Sequence, residues 1–185
     1  LLKLLTDTQS RKIVASNLLE AISEDIVDDL LKQACIKEPA VLGLGPGLSL
    51  AYKDQIASLI ESYDAPMILD ADAINSLDTK LLKKHKSDLL ITPHAGEYTR
   101  LFGKFDKALT PIDLIEDLRA KAQEYQISIL HKGAPTIIAD PGGKVFLVPF
   151  GNSGLASAGT GDVLTGLTLG FAAQLYTLYK KYPEI

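Results

Sequence analysis

Short apolar runs alternate with amphipathic stretches along most of the chain. This is the pattern of repeated strand–helix–strand units around a largely parallel sheet. Ala40-Val41-Leu42-Gly43-Leu44 is apolar on both faces and predicts a buried strand. Gly45-Pro46-Gly47 breaks it, and Ser49 then caps a helix predicted to run to about Tyr63. Met67-Ile68-Leu69 and Leu89-Leu90-Ile91 predict two more strands, which end in Asp70-Ala71-Asp72 and Thr92-Pro93-His94. Thr110-Pro111-Ile112-Asp113 opens a helix with a capping hydroxyl, a proline at the first position and an early acid. That helix is predicted to end near Tyr125. Ile127 to Leu130 predicts a fourth strand, leading into His131-Lys132-Gly133. Thr136-Ile137-Ile138-Ala139 and Val145-Phe146-Leu147-Val148 flank the turn sequence Asp140-Pro141-Gly142-Gly143 and predict a hairpin. The last element is an apolar helix from Gly159-Thr160-Gly161-Asp162 to about Tyr179, and everything before Pro39 reads as helical.

A length of 185 residues suits one α/β domain with a sizeable core. Hydrophobic residues at 46% and charged residues at 23% match soluble globular proteins. The net charge of −4 is spread along the chain and leaves no basic stripe for nucleic acid, so small molecules are the expected partners. The single Cys35 excludes an internal disulfide, fits a reducing compartment and reads as a small buried hydrophobe. No apolar run reaches the roughly 18 residues of a membrane span. Leu1-Leu2-Lys3-Leu4-Leu5 is too short for a signal segment, so the expectation is a cytoplasmic protein with no membrane partner.

Ligands of open α/β sheets sit beyond the carboxyl ends of the strands. The unusual residues of this chain fall at those ends: Gly45-Pro46-Gly47, Asp70 with Asp72 and Asn75, His94 with Glu97, and Lys132-Gly133. The most informative segment is Gly151-Asn152-Ser153-Gly154-Leu155-Ala156-Ser157-Ala158-Gly159-Thr160-Gly161-Asp162. An acid in a first helical turn is ordinarily a helix-stabilising carboxylate. Gly159 and Gly161, however, flank Thr160 at an entropic cost that a simple cap does not require. Their spacing points to an anion hole beside a carboxylate placed to take a proton from a hydroxyl.

Gly159-Thr160-Gly161-Asp162 resembles the anion-hole signature of the ribokinase-like superfamily. The wider Gly151 to Gly166 string resembles the C-terminal signature of the ADP- or ATP-dependent NAD(P)H-hydrate dehydratases. Leu44-Gly45-Pro46-Gly47-Leu48, Leu69-Asp70-Ala71-Asp72-Ala73-Ile74-Asn75, Thr92-Pro93-His94-Ala95-Gly96-Glu97 and Lys132-Gly133-Ala134-Pro135-Thr136 resemble four more motifs of that family, in the same order. The likeness covers about Val41 to Gln174. It implies a ribokinase-like α/β fold with a mostly parallel sheet, flanking helices and a β-hairpin, in one domain truncated at both ends.

The resemblance also implies a reaction, the repair of hydrated NADH or NADPH at the expense of ADP or ATP through a transient phosphate ester. Asp162 would be the general base and would also contact the substrate. Gly47 and His94 would contact the hydrate. Lys132, Gly133, Ala134, Pro135 and Thr136, with Gly159 and Gly161, would hold the adenine nucleotide. Asp72, Asn75 and Glu97 would hold Mg²⁺ and its waters, since hard cations favour oxygen ligands. The protein is expected as a homo-oligomer. Plainer readings exist for these side chains: a turn cap for His94, an early helix acid for Glu97, a solvated lysine for Lys132. For Asp70 the plainer reading, a turn hydrogen bond, is kept, and His85 and His131 receive no role.

The chain departs from the family pattern at Ala95 and Ser153, where proline is usual, and at Ala158, where glycine is usual. It begins at Leu1, shows no counterpart of the family's glycine-rich first strand before Val41, and stops at Ile185. Two other functions share the Asp162 segment: a small-molecule kinase acting on a vitamin precursor or sugar hydroxyl, and a non-catalytic nucleotide-binding subunit.

Overall fold

The computed structural model describes residues 2–18, 21–26, 41–104, 110–182 and 184. Its chain divides into two compact units, Leu1–Glu38 and Pro39–Ile185. Cys35 lies outside the described residues.

The first unit corrects the all-helical expectation. It holds β1 (Leu2–Thr6), α1 (Thr8–Asn17) and β2 (Ala21–Asp25), and the two strands pair in parallel with Leu2 opposite Ala21. The Asp7 carboxylate caps α1 by accepting from the Gln9 and Ser10 N–H groups. Leucine, lysine, glutamate and alanine dominate the two strand sequences, and all of them favour helix on local propensity. Pairing between two segments some twenty residues apart overrides that preference, as strand formation commonly does.

The second unit is built on β3 (Leu42–Leu44), β4 (Met67–Leu69), β5 (Leu89–Ile91), β6 (Ser128–His131), β7 (Thr136–Ala139) and β8 (Val145–Val148). They form one six-stranded sheet in chain order. β3 to β6 run parallel, with Leu42 opposite Met67, Met67 opposite Leu89 and Leu90 opposite Ser128. The β6–β7 and β7–β8 pairs are antiparallel. The mostly parallel sheet is what the alternating pattern implied, and with its helices and hairpin it agrees with the fold that the resemblance implied. Its connecting helices are α2 (Lys53–Ser62), α3 (Ala71–Asn75), α4 (Thr79–Leu82), α5 (Ala95–Phe102), α6 (Pro111–Tyr125) and, after β8, α7 (Thr160–Lys181). A single 3-10 turn at Leu50–Tyr52 precedes α2, with the Ser49 hydroxyl accepting from the Ala51 N–H. Thr110 and Asp113 form a reciprocal capping box at the start of α6, where Pro111 needs no hydrogen-bond partner.

All of Met67, Ile68 and Leu69 are buried, as expected for a strand covered on both faces. Ile56, Leu59 and Ile60 of α2 and Leu118 and Ala122 of α6 complete the core. α7 lies close over β3: a Cβ on Gly43 would stand 3.0 Å from Leu169 Cδ2. The opposite side of α7 carries Val163, Leu167, Phe171, Leu175 and Leu178, all exposed and spaced to share one helix face. Among the described residues no helix is long and apolar enough to cross a membrane.

Candidate active site

Because β3 to β6 are parallel, their carboxyl ends lie along one edge of the sheet, and the hydrogen-bond ladder continues past the strands there. The Asp70 N–H donates to the Leu44 carbonyl at 3.0 Å, and the Thr92 N–H donates to Leu69 at 3.0 Å. The Lys132 N–H donates to Pro93 at 2.8 Å, so His94 and Lys132 stand opposite each other. The loops at residues 45–47, 70–72, 92–94 and 132–136 are therefore held in register by backbone. Gly45 is essential to this arrangement. Its φ is +135°, and a Cβ there would lie 1.7 Å from the Asp70 carbonyl oxygen. Only glycine allows the two loops to approach so closely.

Asp70 is the centre of the site. Its carboxylate is 1% exposed; Oδ1 accepts from Lys132 Nζ at 2.7 Å and Oδ2 accepts from the Thr165 hydroxyl at 2.7 Å. Thr165 belongs to α7, so Asp70 ties that helix to the ends of β4 and β6. A Cβ on Gly161 would lie 3.6 Å from Lys132 Nζ and 3.7 Å from Asp70 Oδ2. The first turn of α7 thus rests directly on the ion pair. Burial pushes the Asp70 carboxyl up, but hydrogen bonds from Lys132 and Thr165, with the Lys132 charge, bring it below the ordinary 3.8.

A depressed carboxyl contributes stability that is complete above its ordinary value and is lost as pH falls through the lower folded value. Asp70→Asn keeps the shape and removes the charge. It is expected to cost about 1–3 kcal/mol at neutral pH. That difference should shrink below about pH 4. Urea denaturation at pH 7 and pH 3 checks this; an equal difference at both pH values would count against the pairing.

His94 caps α5. Its Nδ1 accepts from the Gly96 N–H at 2.9 Å and, more loosely, from the Glu97 N–H at 3.4 Å. Glu97 replies by accepting from the His94 N–H at 2.8 Å, which closes a capping box. With Nδ1 accepting, the ring proton sits on Nε2 of a half-exposed side chain, 3.5 Å from Glu97 Oε1. The plainer reading of His94 is therefore present, and the imidazole still offers an N–H. Glu97 is buried, 3.7 Å from Lys132 Nζ and 3.5 Å from His94 Nε2, so one carboxylate couples the ends of β5 and β6.

At the start of α7, Gly159 has φ +86°, which favours glycine, and Thr160 and Ser157 share a hydrogen bond at 3.0 Å. Asp162 is exposed in the first turn, beside Gly161 and one turn before Thr165. Unpaired N–H groups at this end and the positive end of the helix dipole suit an anion. Gly47 is exposed at φ +64°, with open space where a Cβ would be. The loop from Lys132 to Thr136 contains a cis Ala134–Pro135 peptide bond and exposes Gly133, Ala134 and Pro135.

A family model described as NAD(P)H-hydrate dehydratase matches residues 1–182. The chain belongs to the NAD(P)H-hydrate dehydratase family. The match begins well before Val41, so the β1-α1-β2 unit lies within it. The chain is 43% identical over 158 residues to the bifunctional NAD(P)H-hydrate repair enzyme Nnr of Moorella thermoacetica, covering 83% of this chain and 29% of that protein. It is 34% identical to the ADP-dependent (S)-NAD(P)H-hydrate dehydratase of Neisseria meningitidis, covering 81% of this chain and 52% of that protein. The crystal structure of the Bacillus subtilis ADP/ATP-dependent NAD(P)H-hydrate dehydratase, co-crystallised with ATP/Mg²⁺ and soaked with CoA, superposes with a TM-score of 0.74. Its identity is 30%, over 92% of this chain and 63% of that one. The chain thus spans about a third to a half of these two curated relatives.

The three side chains expected around Mg²⁺ each have a partner in this structure. Asp72 Oδ2 accepts from the Ser49 N–H at 2.9 Å. Asn75 Oδ1 accepts from Arg100 Nε and Nη2 at 3.0 and 2.9 Å, so it faces a guanidinium that would repel a cation. Glu97 is engaged by His94 and Lys132. The three side chains have separate partners, and among the described residues no group of three or more His, Cys, Asp or Glu could hold a metal ion.

Asp70 departs from the turn hydrogen bond expected of it, since its partners are Lys132 and Thr165. It and Thr165 were the site residues least visible beforehand. Asp70 had a usable signal, an acid ending a strand too apolar to tolerate an unpaired charge. Thr165 offered only a hydroxyl within an apolar helix.

Proposed function

We propose that this chain carries the nucleotide-dependent dehydration of NAD(P)H hydrate, restoring NADH or NADPH as ADP becomes AMP or ATP becomes ADP. The observation that carries this reading is the seating of the α7 N-terminus, with Gly161, on the pair of buried Asp70 and half-buried Lys132. Asp162 projects from the same turn. In this reading Asp162 takes the proton of the C6 hydroxyl. The freed oxygen attacks the terminal phosphorus, and the bond to the leaving nucleotide breaks. Backbone N–H groups around Gly159 and Gly161 stabilise the phosphoryl charge. The C6–O bond then breaks with release of inorganic phosphate and loss of a proton from the neighbouring carbon, which restores the ring double bond.

Lys132 to Thr136 and Gly161 hold the nucleotide, and Gly47 and the half-exposed His94 imidazole meet the hydrate. Mg²⁺ belongs to this proposal as a companion of the nucleotide phosphates, an arrangement common for that ion. The protein is proposed to act in the cytoplasm as a homo-oligomer, for which the apolar outer stripe of α7 gives support.

The test is recovery of the NADH absorbance from its hydrate by purified protein, with ADP and ATP in turn. Release of a stable phosphorylated alcohol from another substrate, with the hydrate untouched, would establish the kinase reading instead. A folded sample that binds neither nucleotide would overturn both. Two variants map the site. Lys132→Ala is expected to weaken nucleotide binding roughly 10–100-fold, the scale of a lost charge-assisted contact. His94→Ala is expected to raise KM for the hydrate about 2–10-fold. Because both side chains touch Glu97, each variant should also show a smaller effect on the other ligand. The main effects still separate in calorimetry and steady-state kinetics. If His94→Ala chiefly weakens ADP binding, the site map is inverted.

A further inference from the structure

Arg100 follows His94 on α5 and is exposed. Its Nε and Nη2 donate to Asn75 Oδ1 at 3.0 and 2.9 Å, which leaves both Nη1 hydrogens and one on Nη2 without a partner among the described residues. Glu97, the acid one turn before it, is engaged by His94 and Lys132 instead. The Asn75 amide nitrogen is likewise without a partner among the described residues. These donors stand in the wall of an open pocket of about 290 Å³, whose remaining walls are Leu50, Ile74, Leu77 and Leu101. Leu50 opens the 3-10 turn that follows the Gly47 loop, and Ile74 belongs to α3.

The chemistry of the pocket selects its ligand. Its walls are apolar and its free polar side-chain groups only donate, with the one positive charge of Arg100 among them. That suits a molecule joining an anion to an apolar body. The place of the pocket narrows the class further. A Cβ on Gly96 would stand 2.8 Å from His94 Cε1 and 3.6 Å from Arg100 Nη1, so the imidazole and the guanidinium border one spot. A hydrate whose nicotinamide ring meets His94 carries its diphosphate one ribose further along, and its adenosine beyond that. Guanidinium groups match phosphate oxygens with paired N–H donors. The phosphates of the co-substrate nucleotide have their own recognition elements in Lys132 and the α7 N-terminus.

We propose that Arg100 binds the diphosphate of the NAD(P)H hydrate, with the adenosine seated against Leu50 and Leu77, and so selects dinucleotide hydrates over shorter ones. The inference rests on the reading of His94 as a contact of the hydrate.

The experiment measures KM and kcat for the hydrates of NADH, NADPH, reduced nicotinamide mononucleotide and reduced nicotinamide riboside on wild type, Arg100→Gln and Arg100→Lys. Calorimetry with ADP and a thermal melt accompany each variant. Arg100→Gln removes the charge yet keeps an amide that can still donate to Asn75. It is expected to raise KM for the NADH and NADPH hydrates equally, by roughly 10–100-fold, the scale of a charge-assisted contact. The mononucleotide hydrate, which retains one phosphate, should be penalised as well. The riboside hydrate has no phosphate, and its KM should not change. ADP affinity and kcat should stay near wild type, and Arg100→Lys should recover part of the loss.

An unchanged KM for the NADH hydrate, or an equal rise for the riboside hydrate, would overturn the proposal and leave Arg100 as a tie between α3 and α5. A penalty confined to the NADPH hydrate would overturn it in favour of the 2′-phosphate, and a loss of ADP affinity in its place would move Arg100 to the nucleotide. Wild-type protein that turns over none of the four hydrates would remove the dehydratase reading itself. Should Arg100→Gln not fold, Leu50→Glu serves, because Leu50 is 56% exposed and its replacement sets a carboxylate in the same pocket. It is expected to raise KM for the NADH hydrate and spare the riboside hydrate; an unchanged NADH hydrate KM would overturn the proposal.

Discussion

Asp162→Asn is expected to lower turnover by about 10²–10⁴-fold, the usual contribution of a general base. Nucleotide affinity should stay near that of wild type. The substitution keeps the size of the side chain and removes its ability to take a proton. Asp162 is exposed and Thr165, not Asp162, ties α7 to Asp70, so folding has little reason to suffer. Single-turnover measurement of NADH recovery separates the chemical step from binding, and a variant that retains most of its rate would remove Asp162 from the mechanism. The alternative view of Asp162 as a helix-stabilising acid predicts a modest loss of stability and no loss of rate.

Gly45→Ala is expected to be the most damaging small substitution for the fold. Placing a Cβ 1.7 Å from the Asp70 carbonyl oxygen forces two backbone segments apart, and alanine tolerates φ +135° poorly. Adding about 1–3 kcal/mol for the backbone conformation to about 1–3 kcal/mol for overpacking gives a loss of roughly 2–6 kcal/mol. For a protein of this size that corresponds to a melting point lower by roughly 5–20 °C. A thermal melt within a degree or two of wild type would mean that the loops do not need to touch. Gly47→Ala is a useful control, because its surroundings are open and only the φ of +64° opposes it.

The parallel part of the sheet could be read from the chain because its strands are short apolar runs ended by glycine, acid or proline. Met67-Ile68-Leu69 has no polar residue to place in water, so burial on both faces follows. The α6 boundaries were equally legible, since Thr110, Pro111 and Asp113 each act locally. What escaped is what depends on distant partners. β1 and β2 look helical alone and become strands only by pairing with each other. Asp70 and Thr165, 95 positions apart, meet only after α7 has docked on the sheet. Asn75 accepts from Arg100 of α5, 25 positions away, a partner that its own motif does not show. A motif can suggest which residues gather at a site, but not how they divide their hydrogen bonds among neighbours.

The order of the strands bears on how the molecule is made. In the larger unit each strand leaving the ribosome finds its sheet neighbour already present, because position in the sheet follows position in the chain. α7 is the exception: it follows all six of these strands in the chain and packs on β3 and β4, the first two of them. Its contact with Asp70 closes one of the longest loops in the unit, the sort of contact that forms late in folding. A nascent chain can therefore hold these six strands paired while Asp70 and Lys132 still lack the roof that Gly161 and Thr165 provide. The site is the keystone, set in place only when the rest of the arch is standing.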